Sequence, residues 1–168
     1  MAKCGGKWKK VEGALVMFRG INAVNLDSKG RMMVPVRYRA KLEIEAKSQL
    51  VVTIDTEERC LLLYPLPVWE EIEKKIEKLP SFNQATRRVQ RLLIGHATEL
   101  EADNNGRLLL PQLLREYASI SKHIMLVGQG KKFEIWDKKI WTEGREKWLD
   151  DGVDGLEELP SELQQISL

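Results

Sequence analysis

A ten-residue stretch occurs twice in this chain and constrains its fold more than any other feature. The first copy reads Leu26-Asp27-Ser28-Lys29-Gly30-Arg31-Met32-Met33-Val34-Pro35, and the second Ala102-Asp103-Asn104-Asn105-Gly106-Arg107-Leu108-Leu109-Leu110-Pro111. Asp, Gly, Arg and Pro recur at a constant offset of 76 (103 − 27 and 111 − 35). The spacing has a physical cause. Asp opening a β-turn accepts a hydrogen bond from the backbone two residues on. Gly in fourth place supplies the positive φ that closes a three-residue hairpin loop. Arg then stands where the chain turns back into a strand, with five donors in a fixed fork. Pro fixes φ where a helix can begin. Each copy therefore predicts strand, tight turn, arginine, short strand, helix, with both arginines exposed at hairpin tips.

The duplication extends beyond the motif. Leu63-Tyr64 followed by Trp69 parallels Ile135-Trp136 followed by Trp141, now at offset 72. The change from 76 to 72 implies a four-residue difference in one connection. Units of about 75 residues are too long for a solenoid repeat. Two halves that share one core about a pseudo-two-fold axis fit better, because four short strands cannot close a barrel alone. A chain of 168 residues suffices for such a core.

Between the motifs, periodicity predicts the remaining elements. Phe18 to Leu26 reads as a strand and Val36 to Ala46 as a helix. Leu50 to Ile54 and Cys60 to Tyr64 read as paired strands that Pro65 and Pro67 stop. Val68 to Leu79 is an amphipathic helix through Trp69, Ile72, Ile76 and Leu79, and Asn83 to Ile94 a second. His96 to Glu101 is a strand, and Pro111 to Tyr117 a helix. Ile124 to Val127 and Phe133 to Trp136 form a hairpin turning at Gly128-Gln129-Gly130. Asp137 to Leu149 is the last helix. The expected boundaries are 1–16, 17–94, 95–148 and 149–168. Residues 1–16 lack periodicity and read as a disordered leader ahead of a natural start at Met17, or as a basic arm for DNA phosphates.

Apolar content of 43% and charged content of 31% describe a soluble, globular chain. No run approaches a membrane span, and no signal-peptide series is present. Two cysteines, Cys4 and Cys60, make no disulfide framework and suit a reducing, cytoplasmic compartment. The formal net charge of +2 is uninformative, but its distribution is not. Residues 18–40 carry Arg19, Lys29, Arg31, Arg37 and Arg39 against Asp27 alone, a local +4. Residues 95–115 carry Arg107 and Arg115 against Glu99, Glu101 and Asp103, a local −1. An anionic polymer is therefore expected to bind the first copy more strongly. The stretch 149–168 holds six acids and no base.

The enzymatic and metal classes find little support. His96 and His123 have no ligand partners at metal spacing. Cys60 lies in an apolar strand and reads as packing. No nucleophile–base arrangement is visible, and Gly128-x-Gly130 lacks the helix of a phosphate cradle. Arg87, Arg88 and Arg91 form a basic helix face that either pairs with Glu70, Glu71, Glu73 and Glu77 or contacts a partner. Trp69, Trp136, Trp141 and Trp148 read as core or subunit interface. In the turns themselves, Asp27 and Asp103 can pair with Arg31 and Arg107 and serve only to stabilise them.

With those residues in view, the chain resembles the MraZ family of bacterial transcription regulators. The likeness lies in Met17-Phe18-Arg19-Gly20, Asn25 to Arg31, Leu61-Leu62-Leu63-Tyr64-Pro65-Leu66-Pro67, Arg87-Arg88-Val89-Gln90-Arg91-Leu92-Leu93, Gly95-His96-Ala97 and Met125-Leu126-Val127-Gly128-Gln129. The resemblance implies an α+β fold of duplicated AbrB-like (SpoVT-AbrB) half-barrels, forming a double-split β-barrel with flanking helices. It implies a ring-shaped homo-oligomer associated with the nucleoid. It further implies repression of the division and cell wall gene cluster by binding short direct repeats in its own promoter. No cofactor, small-molecule substrate or membrane is implied. The family signature Asp-x-x-x-Arg maps onto Asp27 to Arg31 and Asp103 to Arg107. Arg31 carries the DNA-contacting role best; Lys29 has the uncharged counterpart Asn105. A guanidinium on a rigid tip suits guanine O6 and N7, and Arg19, Arg37 and Arg39 suit phosphates. The alternative class is an antitoxin-like protein-interaction module. Deleting residues 1–16 is expected to leave the thermal melting midpoint unchanged, as read by circular dichroism of the two forms side by side.

Overall fold

Each copy of the repeat supplies four strands to one structure. They are β1 (Phe18–Asn25), β2 (Arg31–Met33), β3 (Gln49–Ile54) and β4 (Leu61–Pro65), then β5 (Thr98–Glu101), β6 (Arg107–Leu109), β7 (His123–Gly130) and β8 (Lys132–Asp137). The computed structural model describes residues 17–152 and 160–166. Residues 1–16, read above as a leader, and Asp154, Glu157 and Glu158 of the acidic stretch lie outside the described residues.

Six strands make one antiparallel sheet in the order β1-β7-β8-β4-β3-β5, while β2 and β6 pair only with each other. The two halves are interleaved: β1 sits beside β7, and β5 beside β3. The fold is α+β, and among the described residues strand pairing does not close the sheet into a barrel, so β1 and β5 remain as edges.

A pseudo-two-fold axis passes between β4 and β8 and between β2 and β6. In the ribbon, Met32 faces Leu108, with Arg31 opposite Leu109 and Met33 opposite Arg107. In the sheet, Leu62 faces Glu134, with Leu61 opposite Ile135 and Leu63 opposite Phe133. Thus residues at offset 76 meet in the ribbon, and residues at offset 72 meet in the sheet (108 − 32; 134 − 62). The connection between them shortens by four residues from the first half to the second (62 − 32 = 30 against 134 − 108 = 26). Helix α1 (Val36–Ala46) has 11 residues, and its counterpart α4 (Gln112–Tyr117) has six.

The central strands are buried on both faces because alternate residues enter different cores. Leu61 and Leu63 join Phe18, Met32, Leu108, Leu126 and Phe133 under the ribbon, α1 and α4. Leu62 and Tyr64 join Val51, Cys60, Trp69 and Trp136 on the opposite face. That second face is covered by α2 (Leu66–Glu77), through Trp69 and Ile72, and by α5 (Lys138–Asp151), through Ile140 and Trp141. Tyr38, Leu42 and Ala46, spaced by four, bury one stripe of α1. Asp137 caps α5 by accepting from the Lys139 backbone N–H (3.0 Å). Trp69 and Trp136 are buried, whereas Trp148 is 41% exposed and packs its ring 5.6 Å from those of Trp136 and Trp141. A short helix, α6 (Ser161–Gln164), follows.

Three local expectations are corrected. First, β1 and β2 are not hairpin partners, because β1 pairs with β7 and β2 with β6. The Asp27 turn is a corner that carries the chain from the sheet to the ribbon. Second, Gly128 lies inside β7, and the hairpin turns one to two residues later than expected, at Gly130-Lys131 between the paired Gln129 and Lys132, with Gly130 at φ +76°. Gly128 is opposite Gly20 in β1, where an added Cβ would lie 2.6 Å from the Arg19 backbone nitrogen. Close approach of two strands, rather than a turn, requires this glycine. Third, the helix expected over Asn83 to Ile94 is α3 (Gln84–Val89) running into a wider π-type turn over Gln90–Ile94. Thr53 Oγ1, fully buried in β3, donates to the Leu93 carbonyl there (2.7 Å), one of the last carbonyls of the helix, which are left without intrahelical partners.

The ribbon separates core from solvent sharply: Leu108 is 0% exposed and Leu109 is 54%. Leu108→Ala is expected to cost about 2–5 kcal/mol in a denaturant melt, and Leu109→Ala less than about 0.5 kcal/mol.

Candidate nucleic-acid interface

Each turn is built by its aspartate. Asp27 Oδ1 accepts from the backbone N–H groups of Lys29 and Arg31, both at 2.9 Å, and Oδ2 accepts from Arg31 Nε at 2.6 Å. Asp103 repeats the pattern with the N–H groups of Asn105 and Arg107, both at 2.9 Å, and with Arg107 Nε at 2.8 Å. The loop closes through Asp27 N–H to the Arg31 carbonyl and Gly30 N–H to the Asp27 carbonyl, each 3.0 Å. Gly30 and Gly106 hold φ of +81° and +76°, the left-handed region that glycine enters without strain.

The ion pair weighed above as a stabiliser of the turn is present in both copies. It also sets the direction of each guanidinium. Arg31 and Arg107 are only part-exposed, with 27% and 30% of their side chains accessible. They lie back along their turns and are not free at a tip. Only Nε is engaged by the aspartate, and the two terminal nitrogens of each fork make no hydrogen bond among the described residues.

Both carboxyls titrate below the ordinary 3.8. The chief cause is the backbone N–H of Arg31 on Asp27 and of Arg107 on Asp103, and the guanidiniums add to it. Because the folded-state value is lowered, this stabilisation is present above pH 3.8. It is lost as pH falls through the lower, folded value.

The ribbon brings the two arginines to one surface. Alternation along β2 and β6 sends Met32 and Leu108 into the core and leaves Arg31, Met33, Arg107 and Leu109 on the solvent side. Arg31 and Arg107 are diagonal neighbours there, roughly 7–8 Å apart at the backbone.

Arg39 and Arg115 exchange places between the halves. Arg39 Nε donates to the Val34 carbonyl (2.8 Å), and Arg115 Nε to the Leu110 carbonyl (3.1 Å). Each then lies over the glycine of the other repeat. An added Cβ on Gly106 would lie 2.7 Å from Arg39 Nε, and one on Gly30 would lie 2.6 Å from Arg115 Cζ. Sequence neighbourhood therefore misassigned these charges. The first turn gathers Asp27, Lys29, Arg31 and Arg115, a sum of +2; the second gathers Asp103, Arg107 and Arg39, a sum of +1. Lys122 also lines the recess at Asp27, and Glu43, Lys47 and Glu101 line the recess at Asp103, which brings the sums to +3 and 0. The first turn stays the more positive, by three charges and not by the five between +4 and −1. Arg115 was not singled out as a site residue, though its offset of 76 from Arg39 marks it.

Arg19 and Arg37 do not join this cluster. Arg37 stacks on Tyr38, with its Cζ 4.7 Å from the ring centroid, and covers Gly20. Tyr38 Oη in turn donates to the Arg19 carbonyl (2.7 Å). Arg19 lies six residues up β1 from Asn25, roughly 20 Å from the turn.

Other candidates resolve as follows. Arg87, Arg88 and Arg91 make no ion pair with the α2 acids among the described residues. His96 Nδ1 lies 2.8 Å from the Leu92 carbonyl, and His123 Nδ1 2.8 Å from Asn25 Oδ1. Cys60 is fully buried, and burial with the Glu134 and Asp55 carboxylates nearby pushes its thiol up. Asp55, Cys60 and Glu134 place ligand-type atoms within 4.8 Å of one another. Asp55 Oδ1 already accepts from the Glu57 N–H (2.8 Å) and Glu134 Oε2 from Trp136 Nε1 (2.9 Å), so the group is held by internal hydrogen bonds. Among the described residues no helix is long and apolar enough to cross a membrane.

Two tests follow. In a carboxyl-carbon NMR titration, Asp27 and Asp103 should both show midpoints below 3.8. Gly30→Ala is expected to cost about 1–2 kcal/mol through its left-handed φ and to displace Arg115. Gly106→Ala should do the same to Arg39. A denaturant melt of each variant measures the cost.

Comparison with known proteins places this architecture. A family model described as "MraZ protein, putative antitoxin-like" matches residues 17–92 and again 93–151. A protein of Coxiella burnetii (strain RSA 493 / Nine Mile phase I), named transcriptional regulator MraZ, is 57% identical over 152 residues, covering 90% of this chain and 100% of its own length. Proteins of the same name from Legionella pneumophila (strain Paris) and Methylococcus capsulatus (strain ATCC 33009 / NCIMB 11132 / Bath) are 55% and 53% identical over the same share of the chain, covering 100% and 99% of their lengths. They are named as regulators, not as enzymes. With both halves matched and relatives this similar along nine tenths of its length, the chain belongs to the MraZ family.

Proposed function

We propose that this chain is a sequence-specific DNA-binding transcriptional regulator that lays the β2–β6 ribbon in the major groove. The observation that carries the reading is the pair Arg31 and Arg107 on one solvent face, each aimed by its own aspartate. A two-stranded ribbon fits the major groove of B-DNA, and an oriented guanidinium recognises guanine O6 and N7. Lys29, with Arg39 and Arg115 behind the turns, adds positive charge at the same surface. Arg19 on β1 and Arg37 on α1, away from the turns, serve flanking phosphates in this reading.

In this reading the halves, at 17–94 and 95–148, are AbrB-like units of one double-split barrel. The pseudo-two-fold pairing of equivalent strands supports that. A single ribbon offers few base contacts, so tight binding needs several copies. A closed homo-oligomer presenting ribbons around its rim meets direct repeats about one helical turn apart and gains by effective concentration. Its place in the cell is then the cytoplasm, on the nucleoid, with repression of the division and cell wall cluster as the output.

The shared face changes the weight given to the second turn. Arg31→Ala and Arg107→Ala should both weaken binding to the duplex upstream of the chain's own gene. The loss is roughly 1–3 kcal/mol per lost base contact. Arg31→Ala should lose slightly more, because Lys29 stands beside it. Affinity by anisotropy at one fixed salt concentration, with oligomer size checked by light scattering, measures this. Unchanged affinity in both variants with assembly intact sinks the DNA-contact assignment. That outcome would favour the antitoxin-like interaction module, to which the family's description points.

A further inference from the structure

The solvent face of the ribbon carries two apolar side chains that the core does not use. Met33 is 47% exposed and Leu109 54% exposed. They are equivalent positions (109 − 33 = 76), so the repeat places an apolar group there twice. Each is the cross-strand partner of the other repeat's arginine: Met33 opposite Arg107, and Leu109 opposite Arg31. A solvent-facing strand position is ordinarily polar. Here each guanidinium instead has one apolar neighbour about 4.5–5.5 Å away between Cβ atoms.

We infer that Met33 and Leu109 are specificity-determining contacts that recognise the 5-methyl groups of thymines beside the guanines read by Arg107 and Arg31. The inference rests on the DNA-binding reading above. Strand spacing in the ribbon is about 4.7–4.9 Å, and successive base pairs stack about 3.4 Å apart. A side chain opposite a guanine-reading arginine therefore meets the edge of an adjacent base pair. On major-groove edges the apolar group is the thymine methyl, and every other feature distinguishing the four base pairs is a hydrogen-bond donor or acceptor. An unbranched thioether and a leucine offer no donor, so they select the methyl and penalise an exposed polar edge.

The test uses the full chain and duplexes from its own upstream region. Each thymine in turn is replaced by deoxyuridine, which removes only the methyl. The unmodified chain should lose about fourfold in affinity at particular thymines, the ratio expected from one buried methyl group. Met33→Ala and Leu109→Ala should bind the natural duplex more weakly and show no further loss at the uracil matched to each. Insensitivity of the unmodified chain to every replacement overturns the inference. So does an equal uracil penalty in the alanine variants. A smaller oligomer in either variant, with uracil sensitivity retained, also overturns it and assigns the patch to a second copy of the chain. Arg31→Ala on the natural duplex keeps the two levels apart. Dependence on Arg31 without methyl sensitivity removes only this inference, whereas no dependence on Arg31 removes the DNA reading beneath it.

Discussion

Antiparallel pairing of equivalent strands across the pseudo-two-fold axis is the constraint from which the rest of the molecule follows. An antiparallel ladder is itself two-fold symmetric, so two copies of one sequence can pair through their shared centre, as Met32 with Leu108 and Leu62 with Glu134. Once those two centres are set, β1 must lie beside β7 and β5 beside β3, and neither half retains a complete core. The same symmetry delivers Arg31 and Arg107 to one face although 76 residues separate them.

Electrostatics then acts on what the pairing has placed. Each aspartate gathers two backbone N–H groups and one guanidinium Nε. A partly exposed ion pair of this kind contributes little to stability, but it removes rotational freedom from the arginine before any partner arrives. Arg39 and Arg115 fix the other side of each turn from the opposite half, over glycines that leave them room. The carboxylates remain charged well below neutral pH, so the orientation persists across physiological conditions.

Much of the local structure was legible in the sequence, because it is decided by near neighbours. The stripe Tyr38, Leu42, Ala46 marks α1, and the Asp-x-x-Gly-Arg spacing marks the turns with their internal hydrogen bonds. The shift in offset from 76 to 72 located the length difference between the halves. What was not legible depends on pairing between distant segments. Phe18 to Leu26 and Arg31 to Val34 look like a hairpin because a tight turn joins them, yet each prefers a partner in the other half. Gly130 does open the turn, but Gly128 looks like part of it because nothing local reveals that β1 crosses there. Local charge sums kept the sign of the difference but not its size for the same reason: Arg39 and Arg115 belong by sequence to one turn and by structure to the other.

The interleaving also dictates when the chain can become a protein during synthesis. Phe18, near the start of the described chain, finds its strand partner at Gly130, 112 residues later (130 − 18). The β3–β4 hairpin can form early from adjacent residues, but the outer edge of β4 stays unpaired until β8 emerges. At roughly 5–20 residues per second, the gap between β1 and β7 leaves the first half incomplete for many seconds on the ribosome. Such long-range closure is slow and entropically costly. A truncation that removes β7 and β8 would forfeit the whole molecule, not just its second half.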